Sequence, residues 1–169
     1  MYRIGIVGHR FEDLEDIEMS TRVIKRTIDL LEHQYGKEMI VNLGGDRGAE
    51  LLAGDYCLER NIRYHLFLPQ KPANFADESW YDRQRDSLNK QFANAFSITI
   101  CSSSLLKDML TEKERDKLLV DDSNFIVSFW VGKKIGRTYD IMKYALAQNK
   151  IVLSGLAELR LLTNRDLKK

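Results

Sequence analysis

Three short stretches carry residue types that could do chemistry together. The first is Gly8-His9-Arg10. The second is Gly44-Gly45-Asp46-Arg47-Gly48-Ala49-Glu50. The third runs from Trp130 through Gly132, Lys133, Lys134, Gly136 and Arg137 to Thr138. Glycine reaches φ > 0 at little steric cost and leaves backbone N–H groups uncovered. Where such a loop opens a helix, the first amides have no acceptor within the helix, and the positive end of the dipole faces the loop. That combination favours an anion such as phosphate or carboxylate.

In the second stretch Gly44 and Gly45 would supply the amides, with Asp46 in the same turn. Arg47 could add a bidentate phosphate contact, and Glu50 could accept from a ribose hydroxyl or a base. Gly48 and Ala49 are small enough to let the helix approach a strand or ligand closely. The third stretch repeats the idea, with Gly132, Gly136 and Thr138 as a candidate N-cap. Lys133, Lys134 and Arg137 make it the most basic short window of the chain. In the first stretch Arg10 is a candidate partner for phosphate or carboxylate, and His9 stands beside it. Plainer readings stay open: a tight turn with a small-residue helix start, a solvated loop with surface lysines, an exposed histidine.

Several chemistries are not written here. The glycine pair follows the second strand and is not G-x-G-x-x-G, and no Gly-Lys-Ser/Thr ending marks a P-loop. No His/Cys/Asp cluster has metal spacing, and there is no G-x-S-x-G elbow or Cys–His pair. No metal and no bound cofactor are expected.

The elements that must position these loops alternate. Short β-rich apolar runs are predicted at residues 2–7, 39–43, 64–68, 97–101, 124–129 and 151–153. Helical patterns are predicted over 13–35, about 47–60, from the 77–79 region to about 95, 105–119 and 138–148. Gly36 is placed to end the first helix, and Asn61 is a candidate cap for the second. Such alternation implies right-handed crossovers and a mainly parallel sheet of about six strands in a Rossmann-like, doubly wound three-layer α/β sandwich. Ligands of such sheets sit beyond the carboxyl ends of the strands, where the winding reverses. The domain is read as residues 1–153, with 154–169 as a tail.

With 169 residues the chain is of single-domain size, and its 26 Lys and Arg nearly balance 25 Asp and Glu. A net charge of +1 gives no global pull toward nucleic acid. Cys57 and Cys101 are far apart, which suits reduced thiols. No stretch approaches the roughly 20 apolar residues of a membrane span. A cytoplasmic protein is expected, with no membrane partner; the oligomeric state is open.

The ordered pieces together resemble the SLOG superfamily, the Rossmann-like group that includes Smf/DprA, LOG-type and YpsA-type proteins. The pieces are Ile6-Val7-Gly8-His9-Arg10, Gly44 to Glu50, Leu68-Pro69 with the later Trp80, Leu119 to Val127, and Gly132 with Gly136-Arg137-Thr138. Last come Tyr144-Ala145 and Lys150-Ile151-Val152. They look closest to the YpsA branch. The resemblance implies a pocket for a nucleotide or nucleotide derivative, ADP-ribose-like ligands among them.

LOG-type relatives cleave the N-glycosidic bond of nucleoside monophosphates. Their signature pairs an Arg and a Met with a later PGGxGTxxE loop. Arg115 and Leu119 fall near the first pair. In the loop Trp130-Val131 replaces Pro-Gly, Arg137 intrudes between Gly136 and Thr138, and Ile141 stands where the Glu is expected. Asp140 lies one residue earlier, about 100° around a helix. Arg115 and Asp140 are therefore the candidate catalytic residues, and the pattern favours binding or sensing over hydrolysis. Phe75, Trp80 and Tyr81 are candidates to stack on a base. A DprA-like DNA-binding role ranks third, because the near-neutral charge argues against it.

Overall fold

The computed structural model describes residues 1–102 and 109–168. Six parallel strands, β1 (Tyr2–Gly8), β2 (Met39–Leu43), β3 (Tyr64–Leu68), β4 (Ser97–Ile100), β5 (Phe125–Phe129) and β6 (Ile151–Ser154), stand where the apolar runs predict them. A seventh, β7 (Arg160–Leu162), pairs antiparallel with β6, so the tail region joins the same sheet. The order is β4-β3-β2-β1-β5-β6-β7. The chain winds outward from β1 to β4, then returns to the other side of β1. The winding therefore reverses between β1 and β5, which pair from Ile4↔Phe125 to Gly8↔Phe129.

Helices α1 (Ile17–Tyr35), α2 (Ala49–Glu59), α3 (Pro72–Phe75), α4 (Asp82–Asn94), α5 (Met109–Asp121), α6 (Arg137–Ala147) and α7 (Asn164–Lys168) complete the chain. On one face Ile24, Ile28 and Leu31 of α1, Leu51 and Cys57 of α2, and Leu88 of α4 pack with Ile4, Ile6, Val41 and Leu43. On the other, Leu119 and Val120 of α5 and Ile141, Met142 and Ala145 of α6 pack with Val7, Phe67, Ile126 and Val152. Each fully buried aliphatic side chain contributes about 1.5–3 kcal/mol. Three layers result, with the helices divided as the winding reversal requires.

Helix boundaries move where caps outrank periodicity. α1 begins at Ile17 because the Asp16 carboxylate accepts from the Met19 amide at 2.9 Å. It ends at Gly36, with φ +58, and Asn61 takes φ +55 just after α2. The helix expected to start near Asp77 or Ser79 starts later. α4 begins at Asp82, capped by Tyr81, whose amide donates to the Gln84 side chain at 3.0 Å. Asp77 instead accepts from the Ser79 amide at 2.9 Å, closing a local turn. The expected start of the next helix at Leu105 lies outside the described residues. Gly136, not Thr138, caps α6; Thr138 is buried in its first turn. Among the described residues no helix is long and apolar enough to cross a membrane.

The start of α2 is seated directly on the end of β1. The Ala49 amide donates to the His9 carbonyl at 3.0 Å. Gly48, at φ +124, faces the same backbone: a Cβ there would overlap the His9 oxygen and lie 2.5 Å from the Arg10 Cα. Gly132, at φ +92, has no atom within 4 Å of such a Cβ. Gly48→Ala therefore combines backbone overlap with φ strain, whereas Gly132→Ala carries strain alone, on the order of 1–3 kcal/mol. Urea unfolding should show the Gly48 variant losing clearly more stability than the Gly132 variant. Equal losses would mean α2 is not held against β1 in this way.

Candidate functional site

Beyond the carboxyl ends of β1, β2 and β5 the three chemistry-bearing loops meet. What joins them is a guanidinium. Arg137, at the first position of α6, reaches across the end of β1 and pairs with both oxygens of Glu50, Nη2 lying 3.1 Å from Oε1. Its Nε and Nη2 donate to Asp116 of α5 at 3.0 and 2.9 Å, and Nη1 lies 3.5 Å from Asp46. Arg10 donates to the same Asp46 oxygen at 3.1 Å. Arg115 donates to Asp116 at 2.7 Å and to the Gly44 carbonyl, with its guanidinium over the Phe75 ring. Three carboxylates and three guanidiniums thus interlock across β1, the β2–α2 loop, α5 and α6.

This cluster fills the place where the Gly44 amide would meet an external anion. The Gly44 N–H donates to Glu50 at 2.9 Å, so the chain supplies its own carboxylate there. A side chain on Gly44 would meet Arg137 and Glu50 at 2.7 Å each. The expected open amide at Gly44 is therefore corrected: that half of the hollow is plugged. Glu50 pairs with Arg137 rather than facing a ribose. Arg47 turns away, donating to the Ser79 carbonyl at 2.8 Å and lying over the Trp80 ring. Phe75 and Trp80 are buried edge to face against each other, which corrects their reading as base-stacking groups; Tyr81 is exposed. Gly45, at φ +68, packs against Leu68.

The other half of the hollow is open. A cleft of about 650 Å³ runs between Gly8, His9 and Arg10 on one side and Gly136, Arg137 and Thr138 on the other. Buried Asp46 also lines it, with Asp13, Lys133, Ile135, Glu112, Lys113, Asp116 and Asp140. No heavy atom lies within 4 Å of a Cβ built on Gly136, so space remains beside the start of α6. The cleft joins Gly8, His9, Arg10, Asp46, Gly136, Arg137 and Thr138 of the expected set. Gly44, Gly45, Arg47, Gly48 and Glu50 support it from behind; Gly132 and Lys134 stay in the exposed outer part of the β5–α6 loop.

The two candidate catalytic residues differ in environment. Arg115 is 1% exposed with its guanidinium engaged, whereas the Asp140 side chain is 61% exposed and lies 3.5 Å from Lys143. Asp116 and Lys113 were missed by sequence reasoning. The signal for Asp116 was present, since a carboxylate beside Arg115 in the polar helix α5 is a candidate ion partner.

Burial and the arginines set opposite protonation tendencies. Burial alone would raise the Asp46 carboxyl, but Arg137, Arg10 and Arg115 together hold it below the ordinary range. At Glu50 burial prevails over Arg137 and lifts the carboxyl. Burial also lowers His9, whose Nε2 accepts from the Val131 amide at 3.1 Å. Among the described residues no group of three or more His, Cys, Asp or Glu is placed to hold a metal ion.

Fold and site together define a Rossmann-like α/β domain whose cleft opens at the winding reversal of a mainly parallel sheet. Among solved structures it is similar to DNA processing protein A (DprA) from Streptococcus pneumoniae, with 13% identity and a TM-score of 0.65 over 99% of this chain and 60% of that one. DprA from Helicobacter pylori, in a structure describing its single-stranded DNA binding mode, gives 13% identity and a TM-score of 0.65 over 90% of this chain and 64% of that one. The structural-genomics target TM1055 gives 16% identity and a TM-score of 0.56, covering 90% and 72%. The chain thus spans less than two thirds of either DNA processing protein, and at these identities the likeness is one of fold. No protein-family model and no curated protein sequence matches the chain.

Removing Arg137 would leave Glu50 and Asp116 without their shared partner. Arg137→Met should cost about 3–5 kcal/mol in chemical denaturation, and less when combined with Glu50→Gln than the two single losses added. Additive losses would show that the pair is not coupled. The acid limb should follow Asp46. Its folded carboxyl titrates below its unfolded value of about 4, so its contribution is complete above that value and disappears as pH falls through the lower folded one. Asp46→Asn should flatten that part of the stability–pH curve.

Proposed function

We propose that the chain is a SLOG-type domain that binds or senses a nucleotide or nucleotide-derived small molecule in the cleft between the ends of β1 and β5. The observation that carries this reading is the open start of α6. Its first-turn amides have no acceptor within the helix, and Gly136 leaves space beside them. A phosphate would sit there, with the sugar toward Asp140 and Asp116 and the base toward His9 and Ile135. The resemblance of the sequence pieces to the YpsA-type branch supports this reading.

The charge pattern supports a small, singly anchored ligand. Arg137 and Arg10 are neutralised within the cluster, and Lys133 lies 2.8 Å from Asp13. Lys113 shares the cleft lining with Glu112 and Asp140. Among the described residues the two cleft arginines and Lys133 are thus each met by a carboxylate, which disfavours a chain of phosphates. Even so, the fold likeness to DNA processing protein A from Helicobacter pylori gives single-stranded DNA binding a place as the second reading.

A thermal-shift series with nucleoside monophosphates, ADP-ribose, inorganic phosphate and a short oligonucleotide tests both. At a hundredfold excess over Kd a nucleotide ligand should add about 2.7 kcal/mol, or roughly 5–10 °C in Tm. Gly136→Val, with its fold checked by circular dichroism, should remove the shift. No nucleotide giving a shift would overturn the reading, and oligonucleotide binding with a steep salt dependence would favour the second. Free base released from a nucleoside monophosphate, and lost in Asp140→Asn, would make the site an N-glycosidase rather than a sensor.

A further inference from the structure

Residues 131–136 join β5 to α6 as an exposed segment that forms part of the cleft wall. Gly132 and Gly136 take φ +92 and +98, and no atom lies within 4 Å of a Cβ on either, so neither end is wedged. Among the described residues two side chains from the β1 exit anchor the segment. The Val131 amide donates to His9 Nε2 at 3.1 Å, and Lys133 Nζ lies 2.8 Å from an Asp13 oxygen. The second anchor is a half-exposed ion pair, a type that contributes little. The first is part-buried, its acceptor His9 being only 5% exposed.

We infer that residues 131–136 are a strap over the cleft, latched by neutral His9 and released when that ring takes up a proton. An N–H donor can meet Nε2 only while that nitrogen carries no proton, which fixes the neutral ring with its hydrogen on Nδ1. Protonation turns the acceptor into a donor facing another donor. The groups facing the ring are few. Asp13 of the turn after β1 favours the proton, and Lys133 of the strap opposes it. Arg10 is paired with Asp46 of the β2–α2 loop. Burial outweighs these and keeps the ring's pKa below the ordinary 6.5. The latch is therefore complete above that value and weakens as pH falls through the lower folded one. As a gate to the cleft the strap rests on the ligand-binding reading; as a latch it does not.

The test needs no ligand. Hydrogen–deuterium exchange of the full chain is measured at pH 7.5 and 5, corrected for the intrinsic rate of each amide. Protection of residues 131–136 should fall roughly tenfold at the lower pH, while that of β5 holds. His9→Gln, which keeps an acceptor that does not titrate, should show the same protection at both pH values. His9→Leu should be unprotected at both. Should the leucine variant fail to fold, the His9 ring resonances of the unaltered chain decide. Titration at or above 6.5, or a glutamine variant that loses protection like the parent, overturns the latch. Either result leaves nucleotide binding to stand or fall on its own assay.

Discussion

The arrangement of this end of the molecule depends on one buried guanidinium. Arg137 enters at the first position of α6, crosses the end of β1, and meets carboxylates from the β2–α2 loop, α2 and α5. A charge desolvated to this degree is costly unless its partners are close and well aligned. That demand fixes the relative positions of elements whose backbones share few direct bonds there. Arg115 extends the constraint by donating to Asp116 and to the Gly44 carbonyl, tying α5 to the loop that precedes α2. The cluster gives the convergence of loops a rigid rear wall.

The same wall redistributes chemistry between two glycine-bearing turns that look alike in sequence. Both open helices with positive-φ glycines, and both could present amides to an anion. At α2 the anion is internal, because the Glu50 carboxylate accepts from Gly44, and the Ala49 amide is taken by the His9 carbonyl. At α6 Arg137 points back toward the sheet and leaves Gly136 facing open space. Two potential anion sites thus become one support and one open cleft.

Much of this was legible in the residues. The six parallel strands followed from short β-rich apolar runs separated by helical periodicity, and the location of the loops followed from the winding rule. β7 escaped because its run, Arg160–Leu162, is three residues long and lies in a polar context. The direction of the charged side chains escaped for a different reason. Residue type says that Arg137 and Glu50 can each bind a ligand, but whether they bind each other depends on distances across 87 positions of sequence. Phe75 and Trp80 show the same limit: two aromatics near prolines fit a lid or a core equally well, and only their mutual burial decides. Asp140 kept its surface position because an acid three places into a helix is stable there without any partner across the cleft.

The split between the two turns also bears on where a ligand's charge can go. For an external phosphate to reach the Gly44 amide it would have to displace the Glu50 carboxylate, which is 1% exposed and bound to both that amide and Arg137. Displacement would strand a buried carboxylate without its partners, at a cost of several kcal/mol per ion. That exceeds what a phosphate gains from a helix N-terminus, commonly about 0.3–1 kcal/mol and rarely above about 2. At α6 no resident carboxylate has to move, so the same phosphate keeps its full gain. A nucleotide in this cleft is therefore expected to place its phosphate at α6 and its less charged parts against the β1 exit. The ion cluster then serves as a wall rather than as a ligand contact.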